Sequence, residues 1–225
     1  KPEDSLYADI HVAAADAAVA EHRPEDAEKI YEELLKKLPD DQNVRIHYAA
    51  VLTRAGNAEK RDKAIRLLSA EVNVKQFTGA RGFLAAQLRA KTLIDLVDAR
   101  IEKARLQDDP AKRKAELAAA KDDLDRLGRI ISTDSIPVLR LRGRLQQMEG
   151  NPIASLQTFQ RAVDLMQGST RKDFSLVNDL ANAYIYAGQT GSAKKLLQDV
   201  IDRNDWFVPA RLQMAQVLIT ENKLD

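Results

Sequence analysis

The chain has 225 residues, 44% of them hydrophobic but only 5% aromatic, and its charges nearly cancel to a formal +1. Near-neutrality excludes a general nucleic-acid or anionic-membrane binder, which would carry a clear basic excess. The absence of cysteine excludes disulfides and thiolate metal sites.

In chain order, Leu6, Ile10, Ala14, Ala17 and Ala18 set a helical rhythm from Ser5 to Glu21. Pro24, followed by Glu25 and Asp26, opens a second helix whose stripe is Ala27, Ile30, Tyr31, Leu34, Leu35 and Leu38; Pro39 stops it. A third helix, 44–55, turns Tyr48, Ala49, Val51 and Leu52 inward and closes at Gly56-Asn57. Its partner, 62–72, carries Ala64, Ile65, Leu67, Leu68 and Val72.

The stretch 79–132 breaks the rhythm. Phe83, Leu84, Leu88, Leu93, Ile94, Val97 and Ile101 keep one helical period to about Leu106. Asp109 as N-cap with Pro110 after it then restarts a second long helix through Leu117, Ala120, Leu124, Leu127, Ile130 and Ile131. Its mixed charges read as a solvated face. Gly79-Ala80-Arg81-Gly82 is read as freeing the backbone before the long helix.

Short helices return after Ser135. Val138, Leu139, Leu141, Gly143 and Leu145 precede Gly150, and Ile153, Leu156, Phe159, Ala162, Val163 and Leu165 follow Pro152. Phe174, Val177, Leu180, Ala181, Tyr184 and Ala187 then form one stripe and Ala193, Leu196, Leu197, Val200 and Ile201 the next, with Gly188 and Gly191 bracketing the break. Trp206-Phe207 is expected to pack at the following joint. A last helix, Pro209 to about Thr220, lacks a second member. No stretch alternates as a strand, so the chain is expected to be all-α.

Gly150 and Gly188 lie 38 residues apart, with a small insertion near 167–170. That period and the residues around it resemble the tetratricopeptide repeat (TPR), whose length is about 34 residues. Its signature positions fall on Leu180, Ala181, Tyr184, Gly188, Ala193, Leu197 and Val200, with Asp205 where proline is usual. The first unit is similar at Ala14, Ala15, Ala18, Ala27, Tyr31, Leu34 and Pro39, and the next at Tyr48, Ala49, Leu52, Gly56, Ala64, Leu68 and Glu71. The unit from Ile136 keeps Gly143, Gly150, Phe159 and Ala162 but puts Arg142, Gln146 and Ser155 at apolar or small positions. Met214, Ala215 and Leu218 match in the last helix.

The resemblance implies a right-handed α-α superhelix of stacked helix pairs. It divides the chain at about 8–41, 42–78, 79–135, 136–173 and 174–207, with a partial repeat 208–225 and one lengthened pair, about 80–131. The chain starts at Lys1 and stops after one helix of a pair, and is taken as a single solenoid fragment of a longer protein.

No catalytic motif stands out. His11, His22 and His47 lack zinc-ligand spacing and are read as structural, and no GxxxxGK[ST] or GxSxG is present. No cofactor and no metal are expected, and the acidic pairs are read as caps.

In TPR proteins the first helix of each pair faces a concave surface that holds a peptide or a partner's helix. By that implication the groove positions are Asp9, Val12, Asp16, Asn43, Ile46, Ala50 and Arg54, then Arg140, Arg144 and Gln147, then Asn178, Asn182 and Tyr186, then Gln213 and Gln216. Asparagine amides suit a peptide backbone and paired arginines a carboxylate. The lysine–asparagine carboxylate clamp of chaperone-binding TPRs is not reproduced.

The expectation is a non-catalytic scaffold for a protein or peptide, with neither nucleic acid nor membrane insertion. Bacterial envelope or exopolysaccharide assembly is a setting suggested by family analogy. The alternative is a regulatory or substrate-docking arm of a larger enzyme. Self-association through the C-terminal half-repeat is a third expectation, and bacterial cytoplasm and periplasm are both compatible.

Overall fold

Apolar residues at three- and four-residue spacing, punctuated by glycine and proline, give helices that cannot bury their stripes alone. The structure, a computed structural model, describes residues 2–54, 57–69, 79–167 and 173–222. Among these it has eleven helices and no strand. Gly56, Glu71, Val72 and the insertion at Gly168-Ser169-Thr170 lie outside the described residues, as do the side chains of Phe83 and Leu84. The chain divides into two compact units, 1–130 and 131–225.

The first unit contains α1 (Pro2–Ala20), α2 (Pro24–Lys37), α3 (Gln42–Arg54), α4 (Ala58–Ser69), α5 (Gly79–Arg105) and α6 (Pro110–Gly128). They pack in consecutive pairs, and α3 also touches α1 and α5. On α1 the buried side chains are Ala8, Ala15 and Ala18, while Leu6 and Ile10 are exposed and Ala14 and Ala17 face outward. The expected stripe is therefore displaced. Small residues let α2 approach closely with its own large ones, Tyr31 and Leu34, so the larger side chains of α1 fall on the opposite flank.

Tyr31 stacks on Tyr48 of α3 at 5.3 Å and donates its hydroxyl to Asp16 Oδ1 at 2.9 Å. Burial, reinforced by that bond, pushes the Tyr31 phenol well above its ordinary range. The helix α3 is covered nearly all round, burying Gln42, Val44, Ile46, Tyr48, Ala49, Val51 and Leu52. Gln42 reaches across to Thr92 of α5 at 3.1 Å, a buried amide–hydroxyl bond between alternate helices.

Asp109 caps α6, accepting from the backbone N–H groups of Ala111 and Lys112, with Pro110 at the first position as the sequence predicts. The charged face of α6 is only partly solvated. Arg100 of α5 donates to Asp123 at 2.9 Å and to Glu116 at 3.2 Å; Arg126 also grips Asp123, and Lys103 bridges Glu116 and Asp62. Asp123 is buried, so the lengthened hairpin closes on an ion network as well as on Leu96, Ile101 and Leu127. Gly79 opens α5 itself, so the Gly79–Gly82 stretch is the helix start and not a spacer before it.

The second unit contains α7 (Ile136–Met148), α8 (Pro152–Gln167), α9 (Phe174–Tyr186), α10 (Thr190–Arg203) and α11 (Val208–Asn222). Leu139, Phe159, Ala162, Val163, Leu176 and Leu180 form its main cluster; Ala181, Leu197, Val200 and Ala210 form a second. A Cβ on Gly143 would stand 2.7 Å from the Phe159 ring, which makes glycine the residue that lets α7 and α8 close. Two of the polar departures in this pair, Ser155 and Gln146, are satisfied. Ser155 donates to the Gly143 carbonyl at 2.9 Å, and Thr158 donates to the Gln146 side chain at 2.8 Å.

Gly150 and Gly188 take φ of 78° and 74°, and each turn returns an N–H to the preceding helix: Asn151 to Gln146 O, and Gln189 to Tyr184 O. The α1–α2 turn is built the same way on His22, φ 60°, with Arg23 N–H bonded to Ala18 O. Gly191 belongs to the first turn of α10 and not to the break.

Ile153 and Leu165, expected in the core, are exposed, because α8 turns its Phe159–Ala162–Met166 side toward α7 and α9. Trp206 is also displaced from its expected place. It is 86% exposed, and it is Phe207 that fills the joint, against Phe174 at 6.0 Å. On α11, Ala210 and Val217 are buried and Leu212, Leu218 and Ile219 are exposed.

Candidate partner-binding faces

In the first unit the odd-numbered helices build a cleft of about 440 Å³. Asp16, Val19 and Ala20 come from α1, Ile46, His47, Ala50, Val51 and Arg54 from α3, and Lys91 and Asp95 from α5. Asp16, Ile46, Ala50 and Arg54, expected on this face, are brought together here. Asn43 is exposed in the first turn of α3 and does not line the cleft, nor do Asp9 and Val12.

Half of the lining is apolar, and the ionisable groups that make up the other half differ in their engagement. Asp16 accepts from Tyr31 through one oxygen, and its other oxygen lies 3.4 Å from His47 Nδ1. His47 therefore serves the cleft and not only the packing. His11, by contrast, donates to the Tyr7 carbonyl within its own helix, as a structural histidine would.

Asp95 has no hydrogen bond or ion pair with any described residue. Burial pushes its carboxyl up to about 6, with Lys91 opposing the shift and Asp98 adding to it. Sequence reasoning misses Lys91 and Asp95 because it assigns no repeat register along α5. A signal is present: Asp95 interrupts the apolar run Leu93, Ile94, Leu96, Val97, where a soluble face would not place a single acid.

In the second unit, α9 packs against both α7 and α11. Its Asn178, Asn182 and Tyr186 thus share a set of neighbouring helices with Arg140, Arg144 and Gln147 of α7 and with Gln213 and Gln216 of α11. Tyr186 is 63% exposed. Arg140 is engaged, donating from Nε to Asp179 at 2.6 Å, with Asp173 at 3.8 Å. Burial raises the Asp179 carboxyl, against the pull of Arg140 and Arg144. The residue after Asn178 thus supplies the charge partner that the arginines are expected, from sequence, to find in a ligand.

Gln147 Nε2, Asn178 Oδ1 and Gln213 Oε1 are closed to solvent and have no hydrogen-bond partner. Each belongs to a different odd-numbered helix of this unit. Which atom of such an amide is oxygen and which nitrogen follows from its surroundings, so each side chain holds an unspent polar atom of either kind.

The tetratricopeptide-repeat family model matches residues 8–51. The chain superposes on a thermophilic TPR protein of Thermus thermophilus with a TM-score of 0.72 at 17% identity, covering 94% of this chain and 99% of that one. It also superposes on the APC/C hetero-tetramer Cut9–Hcn1 with a TM-score of 0.65 at 14% identity, covering 95% of this chain and 37% of that one. Among curated proteins it is 30% identical over 134 residues to the human aspartyl/asparaginyl beta-hydroxylase and 29% identical to the mouse protein. Those alignments take in 56% of this chain and 17% of each relative's length, so the chain spans about a sixth of the curated relatives it matches.

Proposed function

The chain is of the tetratricopeptide-repeat kind by its matched repeat and by its fold, and on that premise we propose that it is a scaffold holding a protein segment on the faces of its odd-numbered helices. The observation that carries this reading is the cleft. Three successive odd-numbered helices leave about 440 Å³ open between walls that are half apolar and half ionisable, within the range of volumes that ligand pockets show. Helices fixed by their neighbours present such a face with little ordering cost.

The repeat limits 8–41, 42–78, 79–135, 136–173, 174–207 and 208–225 are proposed as the register that assigns those faces. In the second unit, Asn182 and the exposed Tyr186 offer an amide and a phenol to a bound main chain, on the helix that also carries Asn178 and between those that carry Gln147 and Gln213. Self-association through α11, with its exposed Leu212 and Ile219, is a competing use of the same unit.

The hydroxylase similarity favours one setting over an independent scaffold: a docking arm that brings a protein substrate to a catalytic region elsewhere in a longer chain. Envelope or exopolysaccharide assembly in a bacterium is the other setting, carried by family analogy alone.

The test begins with capture of partners on the chain from its source organism and mapping of the bound segment. Ala50→Trp, which fills the cleft of the first unit from an exposed position, and Asn182→Ala with Tyr186→Ala in the second, should each weaken a segment bound on that face about tenfold. The melting temperature should stay unchanged, because these side chains do not pack the core. Undiminished binding to all of these variants would sink the assignment of the faces.

A further inference from the structure

We propose that the cleft of the first unit selects a protein segment that sets a lysine or arginine side chain against Asp95. The inference rests on the reading of that cleft as a binding face, and it names what the face selects.

The charges around the cleft differ in how they are spent. Asp16 accepts from Tyr31 through one oxygen, has His47 Nδ1 3.4 Å from the other, and is half exposed to water. Lys91 and Arg54 are exposed, so water already solvates them and an incoming anion would gain little. Asp95 differs from all of these. It has lost much of its water to the apolar residues around it and has no hydrogen bond or ion pair with any described residue. A cation placed there repays a desolvation that folding has already imposed.

The apolar half of the lining suits the same ligand. Val19, Ala20 and Ala50, with Ile46 and Val51 at the floor beneath them, can flank the aliphatic stem of lysine or arginine while its charged end reaches the carboxylate.

A pH signature follows from the groups that face Asp95. These are His47 and Arg54 on α3, Asp16 on α1, and Lys91 and Asp98 on its own helix. Half-protonated near pH 6 when the cleft is empty, Asp95 must ionise to hold a cation. Binding therefore releases a proton, and affinity rises from pH 5 to pH 7.5.

The probe is a library of random heptapeptides displayed on phage, selected on the immobilised chain at pH 7.5, with representatives then synthesised. Contact with the cleft is read from NMR shifts of the Val19, Ile46 and Val51 methyls. The expected result is enrichment of lysine or arginine at one position. Binding should fall about tenfold on Asp95→Asn, a substitution of the same shape, and by a similar factor at pH 5.

Peptides that move those methyls yet lack a basic residue, or bind Asp95→Asn equally well, would overturn the inference and leave the cleft a binding face. Enrichment of aspartate or glutamate would overturn it in favour of Arg54 and Lys91. If no selected peptide moves the methyls, the inference falls together with the reading of this cleft as a peptide site.

Discussion

The two units solve one packing problem with different chemistry. The first joins its helices through polar groups inside the fold: the Tyr31–Tyr48 stack tied to Asp16, the Gln42–Thr92 bond, and the ion network of Arg100, Lys103, Glu116 and Asp123. The second has shorter polar links, such as Ser155 on the Gly143 carbonyl, and adds a close fit of shape, with Gly143 against Phe159 and glycine at the two positive-φ turns among its described residues. Their candidate faces divide in the reverse sense. The second unit spends Arg140 on Asp179, while the first leaves Asp95 unspent. Internal polar order and a partly buried carboxyl with no ion pair therefore coexist in the first unit, and the one does not require the other.

The largest effect should come from breaking the ion network. Arg100→Ala removes a partner from both Asp123 and Glu116 and should destabilise the first unit by about 3 kcal/mol. Arg100→Met keeps the packing of the stem and should cost about as much if the charge is what matters. Thermal unfolding followed by circular dichroism distinguishes the two. A loss below about 1 kcal/mol in both variants would show that the network is ornamental and that α5 and α6 close on leucine and isoleucine alone.

A middle-sized effect tests the role of shape. Gly143→Ala forces a methyl into the Phe159 ring and should cost about 2 kcal/mol. Phe159→Leu on the same background should recover part of that loss, the sign of direct coupling in a double-mutant cycle. If the two costs simply add, the close approach is not what selects glycine here.

Much of this is legible in the sequence. The Asp109-Pro110 start, the positive-φ glycines and the pairing of the helices follow from local rules that tertiary packing has no reason to override. What is not legible depends on which flank of a helix meets a neighbour. Leu6 and Ile10 share their helix with alanines, and hydrophobicity alone favours the larger side chains for the core. The neighbour's bulk, Tyr31 and Leu34, decides otherwise. Trp206 and Phe207 are adjacent aromatics, and only the position of Phe174 chooses between them.

His22 holds a left-handed turn that glycine holds elsewhere, so composition gives no sign of it. On the candidate faces, Arg54 can be placed from its register. The engagement of Arg140 cannot, because it depends on a carboxylate that lies 39 residues away in the chain.

The smallest effect bears most directly on the contrast between the units. The folded carboxyl of Asp95 titrates near 6, above its ordinary value of 3.8, so folding favours its protonated form. Its contribution is fully present below the ordinary value and is lost as pH rises through about 6. At pH 7.5 the ionised group therefore opposes folding, and Asp95→Asn should raise stability by on the order of 1 kcal/mol. At pH 3.5, where the folded carboxyl is protonated and the unfolded one about two-thirds so, the gain over wild type should shrink to a few tenths of a kcal/mol.

Taking the difference between variant and wild type at each pH removes the acid loss that the other carboxylates share. A bound basic peptide should reverse the ranking at pH 7.5, because only the wild-type carboxylate can pair with it. A variant that is less stable than wild type at pH 7.5 without ligand would mean that Asp95 already has a favourable partner inside the fold. The first unit would then have spent its charge as fully as the second.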